Sequence, residues 1–134
     1  MAIRLLIVDD HPVVRVGLRQ LLAGSDVQVV AEAADGLDAI EKLKKHKVDM
    51  VLLDVRMPEC DGLGCLEQLR TIEPTLPVLM FSGYANPAFI AKAIALRASG
   101  YLTKDADRET LLETIRKAAA GSAVWSPEDV HRAS

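Results

Sequence analysis

Apolar residues in this chain gather in short continuous runs, and between the runs they recur at helical spacing. Ile3-Arg4-Leu5-Leu6-Ile7-Val8 reads as a buried strand. Pro12 suits the first position of a helix with His11 before it as cap, and Val14, Leu18, Leu21 and Leu22 follow on one face. Gly24-Ser25-Asp26 ends that helix, and the β-branched run from Val27 to Ala33 predicts a second strand. Asp35-Gly36 opens a helix with Leu37, Ile40 and Leu43 inward and Lys42, Lys44 and Lys45 outward. Val48 to Leu53 predicts a third strand, Met57-Pro58 to Gly62 a loop, and Leu63, Leu66 and Leu69 a third helix. A fourth strand is expected from Pro77 to Phe81, a helix from Asn86-Pro87 to about Leu96, and a short fifth strand from Gly100 to Thr103. Asp107 caps a last helix with Leu111, Ile115 and Ala118 inward, and Glu109 suits the positive end of its dipole.

Strands alternating with helices, and strands apolar on both sides, imply an α/β fold with a parallel sheet covered on both faces. Right-handed crossovers leave few topologies, and five βα units of this size predict a flavodoxin-like (βα)5 doubly wound sheet of strand order 2-1-3-4-5. Residues 1–120 form the folded unit in this reading. Residues 121–134 are an extension or the start of a linker to an absent output domain, with Trp125 packing on the last helix.

Composition narrows the function. A chain of 134 residues with 50% apolar content is long enough for one real core. A net charge of −3 and the absence of a basic patch argue against direct nucleic-acid binding by this segment. No run is long enough to span a membrane and no signal peptide precedes the first strand, so the expected location is cytoplasmic. In a cytosolic setting Cys60 and Cys65 are expected as free thiols rather than a disulfide, and two soft ligands alone do not build a metal site.

The chemistry lies where the strands end. Asp9 and Asp10 follow the first run, Asp54 follows the third, and Lys104 follows the fifth. In the predicted order the first and third strands are neighbours at the point where the winding reverses, and ligands bind there at the carboxyl ends of strands. Acids brought together repel one another and attract a hard divalent cation; a lysine beside them attracts an anion. Each residue also has an ordinary role available: a turn cap for Asp54, a turn hydroxyl for Ser82, a solvated loop for Lys104 and a strand position for Tyr101. Their joint placement weighs for chemistry.

At these residues the chain resembles the receiver domain of bacterial two-component response regulators. The matching features are Asp9-Asp10, the motif Asp54-Val55-Arg56-Met57-Pro58 with Gly62 downstream, Ser82, and Lys104. Asp9 to Arg15 and Gly100 to Asp105 are similar to the NarL/FixJ subfamily, whose members usually carry a LuxR-type helix-turn-helix beyond the receiver. The resemblance implies that Asp54 accepts a phosphoryl group from a sensor histidine kinase. It implies Mg²⁺ held by Asp10, Asp54 and the backbone carbonyl of Arg56, with Asp9 acting mainly through water. Ser82 and Lys104 would contact the phosphoryl group, and Tyr101 would be the aromatic switch residue. Arg56 and Tyr84 stand where the family tunes phosphoryl lifetime. The face from Asn86 to Ala119 would reorganise and mediate homodimerisation or release of an output domain, serving transcription regulation in the full-length protein. The expectation is a signalling switch rather than an enzyme.

Two other readings use the same residues. A haloacid-dehalogenase-like phosphatase also forms an aspartyl phosphate with Mg²⁺, but it needs an acid two residues after the nucleophile, where this chain has Arg56. A degenerate receiver would act as a constitutive interaction module, against which the complete set of acids, serine and lysine argues.

Overall fold

Strands covered on both sides must be apolar on both sides, and the architecture meets that condition. The computed structural model describes residues 2–54, 62–83 and 87–125. Among these residues, strands and helices alternate as β1 (Ile3–Val8), α1 (Pro12–Leu22), β2 (Val27–Ala33), α2 (Gly36–Lys45), β3 (Met50–Asp54), α3 (Gly62–Ile72), β4 (Val78–Ser82), α4 (Pro87–Ala95), β5 (Gly100–Thr103) and α5 (Arg108–Ala119). The strands form one parallel sheet in the order β2-β1-β3-β4-β5, as the alternation of apolar runs predicts.

Successive strand residues point to opposite faces, which divides the core in two. Leu5, Ile7, Met50, Leu52, Leu79 and Phe81 pack against Leu18 and Leu22 of α1 and Leu111, Leu112 and Ile115 of α5. Leu6, Val8, Val51, Leu53, Val78 and Met80 pack against Ala39 of α2, Leu66 and Leu69 of α3, and Ala93 of α4. Helices α1 and α5 therefore cover one face and α2, α3 and α4 the other.

Local signals place the helix ends. Pro12 starts α1, but the side chain of His11 makes no capping bond. The Asp35 side chain accepts from Asp38 N at 2.8 Å and sets the phase of α2. That phase buries Gly36 and Ala39 and leaves Leu37 70% exposed, so the inward assignment of Leu37 is corrected. The small pair lies against the sheet because it allows the helix to approach closely, with Ile40 and Leu43 half-buried. Asp107 caps α5 by accepting from Thr110 N at 2.8 Å, and these backbone and side-chain bonds from Thr110 hold its carboxyl below the ordinary value.

Two strand boundaries differ from expectation. β3 begins at Met50 rather than Val48 because Asp49 is taken up by Arg4: Arg4 N and Nη2 donate to its carboxylate at 2.8 and 3.0 Å. β4 starts at Val78 and runs through Ser82, since Pro77 has no N–H to give the ladder and contributes only its carbonyl, to Val51 N. Cys65 is buried on α3, whereas Cys60 lies outside the described residues.

Arg70 of α3 is buried beneath the ends of α3 and α4. Its guanidinium donates to the carbonyls of Leu96, Leu76 and Arg97 at 2.9, 2.6 and 2.8 Å, and to that of Glu73 at 3.3 Å. Burial, with Arg97 nearby, lowers its pKa from the ordinary value. Arg97 closes α4 in the left-handed region, at φ +62°, where a side chain is costly. The bonds from Arg70 to Leu96 and Arg97 hold that turn closed.

Candidate functional site at the carboxyl edge of the sheet

Register brings the candidate residues to one edge. Val8 pairs with Leu53, Leu53 with Met80, Asp54 with Phe81, and Ser82 with Thr103. The ladders run one residue further at each side: Asp9 N donates to Ala33 O at 3.0 Å, and Lys104 N donates to Ser82 O at 3.0 Å. Asp9, Asp54, Ser82 and Lys104 thus leave the sheet at its carboxyl end, around the switch point between β1 and β3.

Two of the acids are buried. Asp9 and Asp54 are 1% and 2% exposed, and Ser82 is buried as well. The Lys104 ammonium lies 3.2 Å from Asp9 Oδ2 and 3.3 Å from Asp54 Oδ2, joining the end of β5 to those of β1 and β3. Its Nζ also sits 5.9 Å from the ring centre of Phe81, within range of a cation–π contact. One lysine facing two buried acids leaves negative charge in excess. Asp10 is more open, with 22% of its side chain exposed.

His11 departs from expectation. Rather than capping α1, its ring approaches both acids, with Nδ1 3.2 Å from Asp9 Oδ1 and 2.9 Å from Asp10 Oδ1. Its backbone N also donates to Asp9 Oδ1 at 2.8 Å. The acidic pair draws the imidazole away from the helix end it was expected to cap. The ring remains 61% exposed.

One atom each from Asp9, Asp10, His11 and Asp54 lies within 4.8 Å of the others. Asp9 Oδ2 and Asp10 Oδ1 are sealed from solvent without a directed hydrogen bond, although Lys104 and His11 stand at ion-pair distance. Buried carboxylate oxygens in that state favour a cation. The oxygen-rich set suits a hard ion such as Mg²⁺, which imidazole suits poorly. Asp9, Asp10 and Asp54 therefore fit such an ion. Arg56, Met57 and Pro58, including the carbonyl expected as a ligand, lie outside the described residues, as do Tyr84 and Asn86.

On the far side of Ser82, Tyr101 is half-buried and its hydroxyl donates to Ser82 O at 3.3 Å. Sequence reasoning gave no role to Arg15, one turn into α1. Its Nη1 donates to Asp9 O and its Nε donates to Glu32 Oε1 at 3.1 Å, so it fixes the backbone beneath the acidic pair. The available signal was its place a few residues after Asp9-Asp10 on a helix that packs beside β2. The support of Lys104 by Phe81 had no signal in the sequence, because it depends on how β4 and β5 are paired.

Comparison with known proteins agrees with this geometry. The family described as response regulator receiver domain matches residues 5–116. The nitrate/nitrite response regulator protein NarP of Escherichia coli (strain K12) is 42% identical over 126 residues, covering 92% of this chain and 58% of the relative. A solved LuxR-family two-component response regulator from Aurantimonas sp. SI85-9A1 superposes with a TM-score of 0.89 at 33% identity, covering 99% of this chain and 96% of that one. The signal receiver domain of the putative response regulator NarL from Mycobacterium tuberculosis gives a TM-score of 0.81 at 38% identity, covering 90% and 98%. The chain spans just over half the length of the curated relatives it matches, from 55% to 62%.

Proposed function

Because the chain belongs to the response regulator receiver domain family, of the LuxR/NarL type, we propose that Asp54 is its phosphoacceptor and that a sensor histidine kinase is the donor. The observation that carries this reading is the position of Lys104 Nζ, 3.3 Å from Asp54 Oδ2 and 3.2 Å from Asp9 Oδ2. A cation placed between two buried acids becomes the partner of a phosphoryl oxygen once Asp54 carries an acyl phosphate.

In the proposed step an Asp54 carboxylate oxygen forms a bond to phosphorus while the P–N bond of the donor phosphohistidine breaks. The electron pair stays on the donor nitrogen, which leaves as neutral imidazole when its other nitrogen carries a proton. Positioning and charge neutralisation supply most of the catalysis in such transfers. Mg²⁺ held by Asp10 and Asp54, with the carbonyl of Arg56 and water-mediated help from Asp9, would neutralise charge on the phosphoryl oxygens. Lys104 pairs with one of those oxygens, and the Ser82 hydroxyl donates to another. Arg15 and His11 keep Asp9-Asp10 in place from the α1 side.

The phosphoryl group then biases two packings of the α4–β5–α5 side, since only a differential contact can shift such an equilibrium. Tyr101, bonded to Ser82 O, is the proposed switch side chain. The face from Asn86 to Ala119 is the proposed homodimer or output surface. Residues 1–120 are the receiver in this reading, and residues 121–134 are a C-terminal extension or the start of a linker to an output domain. The receiver is a signalling domain that takes part in its own phosphorylation rather than an enzyme acting on a separate substrate, and it works in the cytoplasm. Among the described residues no helix is long and apolar enough to cross a membrane. Curated relatives are named as transcriptional regulators, and transcription regulation is the proposed output of the full-length protein.

Intact-mass spectrometry after incubation with Mg²⁺ and a small phosphodonor tests this function. A labile single-phosphate adduct is expected for the parent and none for Asp54→Asn, because an amide keeps the shape but is a far poorer nucleophile. An adduct of parental yield in Asp54→Asn would overturn the assignment.

A further inference from the structure

The segment after α5 crosses the open edge of the sheet and fastens to both of its faces. Gly121 closes α5 at φ +94°, and Ser122 N returns to Lys117 O at 3.1 Å. The chain then runs beside β5, the edge strand. Val124 N donates to Ser99 O at 2.7 Å, and the Trp125 indole Nε1 donates to Ala98 O at 3.0 Å. Successive residues of an extended segment point to opposite sides. Val124 accordingly joins the core on the α1–α5 side, and Trp125 joins the core on the α3–α4 side. This corrects the expectation that Trp125 packs on the last helix: α5 belongs to the other face.

Gly100 is shaped for this crossing. A Cβ added there would stand 2.2 Å from Val124 Cγ2 and 3.2 Å from the Val124 carbonyl carbon, so a side chain at this position forces Val124 to shift from its seat. The seat of Trp125 is shared with Met80, Phe89, Ile90 and Tyr101, and encloses a residual space of only about 10 Å³. It has no room for another group. Tyr101, in that seat, is the residue whose hydroxyl reaches Ser82 O at the phosphoacceptor edge.

We propose that Val124 and Trp125 form an edge strap whose docking is governed by the phosphorylation state of Asp54, so that phosphorylation releases the chain that follows α5. The strap's partner is this domain's own β5 edge and α4 flank. The inference rests on the phosphoacceptor reading above. Lys104 N and the Tyr101 hydroxyl both donate to Ser82 O. A Lys104 drawn to a phosphoryl oxygen therefore pulls on the carbonyl that holds Tyr101, and a tyrosine that shifts within a filled seat displaces the indole beside it. The covered edge of β5 is then freed, which exposes a strand edge able to pair with another chain.

The chain contains a single tryptophan, so its fluorescence reports the strap alone. Emission and acrylamide quenching of Trp125 should be compared with and without Mg²⁺ and beryllofluoride, alongside amide shifts of Asp54 and Lys104. A red shift and stronger quenching are expected together with the amide response, and neither in Asp54→Asn. Gly100→Ala should show the released emission without beryllofluoride, and Val124→Ala, which only trims the contact, should move the same way to a smaller extent. An indole unchanged or better protected while Asp54 and Lys104 respond fully would overturn the strap but leave the phosphoacceptor intact. Silence at Asp54 and Lys104 as well would overturn both. A Gly100→Ala indole as protected as the parent's would show that this contact does not seat the strap, and would overturn the inference.

Discussion

Two buried groups of charge stand at opposite ends of the sheet and are treated in opposite ways. Arg70 is surrounded by backbone carbonyls from four residues, Glu73, Leu76, Leu96 and Arg97, all at hydrogen-bond distance. Asp9, Asp10 and Asp54 are gathered with one lysine and one partly exposed histidine, and two of their sealed oxygens lack a directed bond. The first arrangement is complete in itself. Its donors meet fixed dipoles, so the guanidinium holds two chain reversals and needs nothing further. The second is complete only with added positive charge, and then with an anion to engage the lysine. Burial alone does not mark a functional site; burial with charge left unbalanced does.

Breaking the complete region should cost the most stability. Arg70→Met removes every bond to the four carbonyls and leaves the left-handed turn at Arg97 unsupported, a loss of about 3 kcal/mol. Urea unfolding reads this directly, and a loss under about 1 kcal/mol would mean that water or rearranged backbone takes over the clasp. Arg70→Lys should recover little of it, because one ammonium cannot reach carbonyls spread around a planar fork. Under conditions where these variants stay folded, they should still form the phosphate adduct, since the clasp is not part of the site.

The incomplete region should behave in the opposite sense. Asp10→Asn removes one of three crowded negative charges, so the metal-free variant should be at least as stable as the parent, by up to about 1 kcal/mol. Stabilisation by Mg²⁺ should largely disappear, because ligand binding to the folded state is what raises the melting temperature. Thermal unfolding across a Mg²⁺ titration reads both effects. A variant that is less stable without metal and responds to Mg²⁺ like the parent would show that Asp10 belongs to a settled network, as Arg70 does.

The contrast also explains what was legible in the chain. The sheet order, the helix faces and the meeting of Asp9, Asp54, Ser82 and Lys104 follow from periodicity and connection rules, because apolar runs and turn residues are local signals. Leu37 was misplaced because a leucine at helical spacing looks inward until the Asp35 cap sets the phase of α2. His11 was misread because its attraction to the acids competes with a capping position that Pro12 makes plausible. The Arg70 clasp and the Trp125 seat had no local signal at all. Each depends on segments distant in sequence: Arg70 reaches carbonyls 26 and 27 residues away, and Trp125 one 27 residues away.

The central claim is that the incomplete cluster is completed by phosphorylation at Asp54, and chemical trapping at residue level tests it most directly. After incubation with Mg²⁺ and a phosphodonor, borohydride reduces an aspartyl phosphate to homoserine, and peptide mass spectrometry locates the change. The account predicts homoserine at position 54 alone, dependent on Mg²⁺ and absent without phosphodonor. Homoserine at position 9 or 10 with position 54 unmodified would contradict it.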